Sequence, residues 1–445
     1  MKEENRAYAE EAYEIVNDAA TKIGSRLPGS ENERKFHDYM ADKLRAIGIN
    51  PVREEFAVSP RSAIGGLSYA GWAGFIVSIG AYFALGIPTL WIPLGCFALL
   101  AIFWLFSCVF LYHTWADMFF PQKISQNTYG VLTPEDGKYD YTIILSGHTD
   151  TSWTWRHSEN IHKYKDNPII GVILTYAKVG FGAVCFFVMN LITIFMAVLF
   201  LAQAFGAGWA FAITDSKFYA IFRIILFIIP AITAFGCWFV IMWGDPKEEN
   251  ASRGAMDNAT GIALSYEVIK YFKEHPERMP KNCRIVDLSV GSEEPGLRGS
   301  MAFAREHKND DLTKNAWNIN IDSVADEDYF EVVIKDDWQG CRFDRDLEEM
   351  FKQTFKELEI PSKTNHCIHN PVGGCDSTPM TRAGIKSVTF AAQNPMLTYY
   401  YHTWRDTPER FTAETVGTGF DVVLGVIDKI AAFQEEKGYN GPRKK

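Results

Sequence analysis

Two apolar blocks decide most of what this chain can fold into. Residues 62–116 contain no Asp, Glu, Lys or Arg, and the runs 64–86 and 91–113 within them are each long enough to cross a hydrocarbon layer, which takes about 20 helical residues. A second block, residues 169–244, is uncharged over 179–214 and again over 224–244, and predicts two further spans near 180–204 and 220–243. Buried core helices are the alternative, but they rarely stay apolar for more than about 14 residues. The blocks therefore read as membrane-spanning insertions, with the lipid bilayer as a partner.

The polar remainder, residues 1–61, 117–168 and 245–445, has the size and patterning of one large α/β domain interrupted twice. Its pieces can fold together only on one side of a bilayer, so the insertions 62–116 and 169–244 must each cross an even number of times. Two helices per insertion satisfy this. Lys and Arg near the spans gather on the domain's side, at Arg53, Arg61, Lys123, Arg156, Lys163, Lys165, Lys247 and Arg253, while the opposite loops offer Lys217 and Arg223. That bias predicts an integral multi-pass protein with a cytoplasmic polar domain. The first 50 residues are charged and amphipathic, unlike a cleavable signal peptide. The eight cysteines form no Cys-x-x-Cys pair, which fits a reducing compartment. A net charge of −10 without a basic stripe argues against nucleic acid as a partner.

Within the polar pieces, helical periodicity covers residues 5–22, and a second helix starts at Ser30 with Glu33 three residues on, a capping box. Strands are expected at "NPVREEFAV", "NTYGVLT" and "YDYTIILSG". After the second block the pattern alternates: a helix over 259–273, strand "CRIVDLSVG", helix "LRGSMAFAREH", strand "NAWNINID", helix "RDLEEMFKQTFKELE", strand "KSVTFAA" and a closing helix from "ETVGTGF". Strand and helix in turn predict an α/β fold with a mostly parallel central sheet flanked by helices.

Open α/β sheets bind ligands beyond the carboxyl ends of their strands, and that edge is crowded here. His148 and Asp150 follow "YTIIL", Asp257 opens a helix, Glu293 and Glu294 follow "CRIVDLSVG", Asp322 ends "NAWNINI", and His402 follows "KSVTF". Singly, each has an ordinary explanation: a helix N-cap, a solvated loop carboxylate, a packed imidazole. Their recurrence at the same end of successive strands does not. Two imidazoles with several carboxylates are a donor set that suits zinc.

The series "GHTDTSW", "GAMDNATGIALSYEVIKYF", "GSEEPGLRGSMAFA", "NINIDSV" and "GGCDSTPMTRAGIKSVTFAAQ…YYHTWRDTPERF", preceded by "IGSRLPGSENERKFHDYMADKL", resembles the zinc aminopeptidases and carboxypeptidases of metallopeptidase family 28, which also contains glutaminyl cyclases. The resemblance covers nearly all the polar chain and leaves out the apolar blocks. It implies two zinc ions: His148 and Asp322 on one, Glu294 and His402 on the other, and Asp257 bridging both. It makes Glu293 the general base and Asp150 the partner that orients His148, and it implies peptides as substrates.

Ser377 stands in "GCDSTPM" where many members have His, and Trp153 and Trp155 add aromatic bulk after the first motif; both bear on substrate preference. Asp376 either shapes that loop or forms an Asx-turn. Tyr399, Tyr400 and Tyr401 are candidates to stabilise an oxyanion or are ordinary strand-edge tyrosines, and "HCIH" at 366–369 reads as alternating loop or strand residues. The expected function is a membrane-anchored di-zinc exopeptidase, foremost an aminopeptidase on short peptides. Carboxypeptidase or other amidohydrolase action and a non-catalytic receptor of the same fold are the alternatives. A transporter is disfavoured, since the spans show no clustered charges.

Overall fold

The structure, a computed structural model, describes residues 1–156, 167–242, 251–308, 310–394 and 400–438. The chain divides into two compact units: Met1–Pro60, Asp117–Trp153 and Lys247–Lys445 form one, Arg61–Ala116 and Thr154–Pro246 the other.

The first unit is built on a sheet of nine strands: β1 (Val52–Val58), β2 (Lys123–Leu132), β3 (Tyr141–His148), β4 (Cys283–Val290), β5 (Ala316–Val324), β6 (Phe330–Asp336), β7 (Cys341–Arg342), β8 (Cys367–Asn370) and β9 (Lys386–Ala392). Their order is β1-β2-β4-β3-β5-β9-β6-β7, with β8 beside β6. The centre, β4-β3-β5-β9, is parallel; β1 and β2 on one side run antiparallel to their neighbours, and on the other side β6 is antiparallel to β9 and β7 but parallel to β8. Parallel strands buried on both faces need near-continuous apolar runs, which β3 and β4 supply. Alternation divides them: Ile143, Leu145 and Ile285 join the larger core with α1 (Arg6–Asp18), α2 (Glu31–Ala46), α8 (Thr260–Glu274), α10 (Arg345–Glu357) and α12 (Ala413–Lys437). Ile144, Val286, Leu288 and Val290 face the other way, onto α9 (Arg298–Glu306) and α11 (Ser377–Arg382).

Most expected elements lie within a few residues of their sequence-read positions, and β9 matches "KSVTFAA" throughout. Strands β6 and β7 and the short helix α11 had no clear period in the sequence. The segment "HCIH" enters β8 at Cys367. The capping box is half as expected. Ser30 Oγ accepts from the Glu33 amide at 3.2 Å, but the Glu33 carboxylate accepts from the Gly29 amide at 2.7 Å and continues inward.

The second unit holds α3 (Leu67–Gly86), α4 (Trp91–Trp104), α5 (Pro168–Ala204), α6 (Gly208–Thr214) and α7 (Lys217–Ile241). Among the described residues, four helices are long and apolar enough to cross a membrane: Ile64–Gly86, Pro88–Phe110, Ile169–Ala204 and Lys217–Ile241. The expected start of the third near residue 180 is corrected to Pro168: α5 runs 37 residues, through Lys178. A single Lys does not end a helix, since its long side chain carries the charge away from the helix axis. Small residues bring these helices close, as membrane helices require. A Cβ on Gly74 would lie 2.6 Å from Cys237 Sγ, and one on Gly236 would lie 2.2 Å from Cys185 Sγ. Ser78 and Thr233 pair hydroxyl to hydroxyl at 2.9 Å across α3 and α7.

Candidate metal centre

Four ligand-type side chains sit at the carboxyl edge of the four central strands. Glu294 follows β4, His148 ends β3, Asp322 lies near the end of β5, and the loop after β9 carries His402. Because these strands are parallel neighbours, their ends lie side by side, the placement that open α/β sheets reserve for ligands. Asp257 enters from above, just before α8.

Close packing brings Asp257 there. A Cβ on Gly261 would lie 2.1 Å from the Ile321 carbonyl oxygen, so only glycine lets the first turn of α8 rest on the end of β5. Asn258 fastens the contact: its Nδ2 donates to Ile321 O at 2.8 Å and its Oδ1 accepts from the Gly261 amide at 2.9 Å. Asp257 and Asn258 are joined by a cis peptide and leave the helical conformation. Asp406 then fixes the backbone, its two oxygens accepting from the amides of Met256 at 2.8 Å and Asp257 at 3.0 Å.

The Asp257 carboxylate divides itself between the two imidazoles. Its Oδ1 lies 3.0 Å from His148 Nε2 and its Oδ2 lies 2.9 Å from His402 Nε2. Asp322 Oδ1 is 3.8 Å from His148 Nε2, and Glu294 Oε1 is 3.2 Å from His402 Nε2. Two donor sets result, His148 with Asp257 and Asp322 and Asp257 with Glu294 and His402, each with ligand atoms within 4.8 Å of one another. Among the described residues, Glu294 Oε1 is buried and, apart from its 3.2 Å approach to His402 Nε2, has no hydrogen-bond partner. A buried carboxylate oxygen left in that state is costly unless a cation completes it. Two imidazoles and three carboxylates around these positions fit zinc.

Glu293 stays outside both sets. Its amide donates to Asp150 Oδ1 at 2.8 Å, and the Glu294 amide donates to Asp150 Oδ2 at 3.0 Å. Asp150 Oδ1 also lies 3.4 Å from His148 Nδ1. Burial raises the Glu293 carboxyl well above its ordinary value; His148 opposes this, and the negative charges of Asp376, Glu294 and Asp322 add to it. Burial opposes a charge on His148, but Asp150, Asp257 and Asp322 outweigh it and hold its pKa well above the usual range. For Asp257 burial works the other way and loses: hydrogen bonds from His148 and His402 hold the carboxyl well below its ordinary value.

Tyr401 stacks on His402, ring centroids 3.8 Å apart. Its hydroxyl is raised well above its ordinary value by burial and by the charges of Asp257, Glu294, Asp322 and Glu293. Tyr400 is committed elsewhere, donating to Asp326 Oδ2 at 2.8 Å. Tyr399 lies outside the described residues, as do Lys163, Lys165 and Lys247. Asp376 is fully buried and does not cap α11 with its side chain. Burial lifts it to about 7, with Asp322 and Asp150 adding and His148 and the Ser300 hydroxyl opposing. Trp153 is packed against Leu27 and Ala251.

Three residues of the site were not singled out from sequence. Arg26 and Asp406 are charged loop residues that local pattern reads as solvated, and Glu33 reads as a capping-box residue at a helix start and not as part of the site. Glu33 is buried; it accepts from the Ser292 amide at 2.7 Å, from Ser292 Oγ at 3.0 Å and from Ser125 Oγ at 3.0 Å, and so holds the turn before Glu293. The only advance signal was their place inside quoted motifs.

Residues 240–427 match the family model described as Peptidase family M28. The chain carries a peptidase family M28 domain. Aminopeptidase YwaD of Bacillus subtilis (strain 168) is 25% identical to it over 188 residues, which is 40% of this chain and 37% of that protein. The match thus spans well under half of that relative's length. Two solved structures share the fold of the M28 domain. The zinc aminopeptidase BSAP from Bacillus subtilis has a TM-score of 0.51 at 14% identity, covering 98% of this chain and 98% of that one. The glutaminyl cyclase of Bacteroides thetaiotaomicron bound to N-acetylhistamine has a TM-score of 0.51 at 14% identity, covering 94% of this chain and 97% of that one.

Proposed function

We propose that the protein is a membrane-anchored di-zinc exopeptidase, foremost an aminopeptidase acting on short peptides. The observation that carries this reading is the Asp257 carboxylate, with one oxygen toward each of two imidazoles and a further carboxylate beside each imidazole. His148, Asp257 and Asp322 would hold one zinc, and Asp257, Glu294 and His402 the other. Two such ions, when bound, lower the pKa of a water held between them and polarise the scissile carbonyl. Glu293, kept out of both donor sets, accepts the proton of the attacking water and passes it to the leaving amine. Asp150 orients His148 and spaces the two glutamates. Tyr401, stacked on His402, offers a hydroxyl to the oxyanion that develops at the carbonyl.

The relative named an aminopeptidase supports the amino-terminal preference. The four apolar helices support anchoring in a bilayer, and the Lys and Arg bias supports a cytoplasmic M28 domain. Glu293→Gln tests the chemistry: hydrolysis of aminoacyl peptides should fall about 10²–10⁴-fold while two zinc ions per chain stay bound. Intact turnover in that variant with its metal retained would remove the mechanism. A panel that includes amino-blocked and carboxyl-blocked peptides separates aminopeptidase from carboxypeptidase action.

A further inference from the structure

Arg26 has no role in the chemistry above, yet it is fully buried. Among the described residues its guanidinium makes no ion pair. Instead it donates to backbone carbonyls: Nε to Thr149 at 2.7 Å, Nη1 to Arg253 at 2.9 Å, to Gly24 at 3.2 Å and to Ala19 at 3.3 Å, and Nη2 to Gly254 at 2.8 Å. A buried cation is costly unless its donors are satisfied, and the fixed fork of an arginine can reach several carbonyls at once where a lysine cannot. The backbone of Arg26 adds two more links. Its amide donates to Thr151 Oγ1 at 2.9 Å, and its carbonyl accepts from the Thr151 amide at 3.1 Å.

The residues reached are informative. Thr149 lies between His148 and Asp150, Thr151 follows Asp150, and Arg253 and Gly254 lead into Asp257. Gly254 adopts φ +60°, and a Cβ there would lie 2.7 Å from Arg26 Nη2 and 2.2 Å from Thr151 Cγ2. Glycine is therefore needed both for the conformation and for the approach of the guanidinium. Burial draws the Arg26 pKa down to about 10, with Asp406, Asp150 and Asp257 holding it up, so it stays charged at neutral pH.

We propose that Arg26 is a positioning residue for the metal centre: it ties the segment carrying His148 to the turn leading into Asp257 and so sets the spacing at which these two ligands share a cation. The proposal rests on the di-zinc reading above. The test uses the full chain in detergent, with bound zinc counted by elemental analysis and its affinity measured by competition with a chromophoric chelator. Arg26→Lys and Gly254→Ala should each weaken zinc binding about 10–100-fold, the range for residues that orient metal ligands. Phe355→Ala, a core truncation that lowers the unfolding midpoint, should leave zinc affinity unchanged at temperatures where it is folded. A folded Arg26→Lys protein with wild-type zinc affinity overturns the proposal. Should Arg26→Lys fail to fold, Gly254→Ala, whose Cβ would lie 2.7 Å from Arg26 Nη2, decides it: weakened zinc in the folded variant supports the tie, and unchanged affinity overturns it. A wild type that binds no zinc overturns the di-zinc reading itself, and the proposal with it.

Discussion

Asp150 holds Glu293 by its backbone: the Glu293 amide donates to Asp150 Oδ1 at 2.8 Å, and the same oxygen lies 3.4 Å from His148 Nδ1. One carboxylate thereby sets the distance between an imidazole ligand and the group proposed as general base. Its second oxygen takes the Glu294 amide, so neither can be replaced by a donor without loss. Asp150→Asn keeps the shape and turns one acceptor toward an N–H as a competing donor. The expected loss is about 10–100-fold in kcat/KM, with Glu293 displaced while the fold stays intact. Steady-state kinetics beside circular dichroism check this, and wild-type kcat/KM in a folded variant refutes it.

The elements that carry ligands were legible because their signals are local. Strands β3, β4 and β9 are short apolar runs ended by turn residues, and His148, Glu294 and His402 follow such runs within the reach of a single loop. What sequence does not carry is the long-range satisfaction of buried charge. Arg26, Glu33 and Asp406 gain most of their partners from segments more than 90 residues away, and nothing in their neighbours marks them as buried. Strands β6 and β7 escape for another reason: they lie at the sheet's far edge, where pairing of β6 with β9 and of β7 with β6, and not periodicity, defines them. Helix α5 begins at Pro168, ahead of the uncharged run from which the span near 180–204 is read.

Removing metal should cost stability as well as activity. Asp257, Glu294 and Asp322 crowd one edge with two imidazoles, and a cation that binds only the folded state stabilises it by about 4 kcal/mol when present at a thousandfold its Kd. Dialysis against a chelator should lower the unfolding midpoint by several degrees, and zinc should restore it. A midpoint indifferent to chelator and to added zinc would contradict a metal centre at these residues.

Asp287 makes a second stability prediction, independent of the site. It lies within β4, fully enclosed, and among the described residues neither oxygen has a hydrogen-bond partner. Burial alone lifts its pKa to about 8, against about 3.9 in an unfolded chain. The folded state therefore keeps a proton that the unfolded state loses. Its contribution is fully present below about pH 4 and is lost as pH rises through about 8, a range worth at most roughly 5 kcal/mol. Asp287→Asn cannot ionise, so its unfolding midpoint should fall less between pH 6 and 9 than the wild type's. Glu267, also lifted to about 8 by burial, keeps part of the slope in both proteins. Parallel pH profiles for the two would rule out a buried neutral Asp287.

The sidedness proposed from the Lys and Arg bias is open to direct measurement. Arg53, Arg61, Lys123, Arg156 and Arg253 flank the apolar blocks in sequence, while the start of α7 carries Lys217 and Arg223. Lys and Arg retained on the cytoplasmic face orient membrane helices, so the turn at Gly137 and the loop at Gly206 should lie on opposite faces. Both are open positions where a Cβ would meet nothing within 4 Å, so short epitopes inserted there should not disturb packing. In intact cells the Gly206 epitope should be cleaved by added protease and the Gly137 epitope only after permeabilisation. Cleavage at Gly137 in intact cells would reverse the orientation and put the M28 domain outside the cytoplasm. Cleavage at both positions would mean that α5 does not cross the bilayer, which would remove the reading of two crossings in the second insertion.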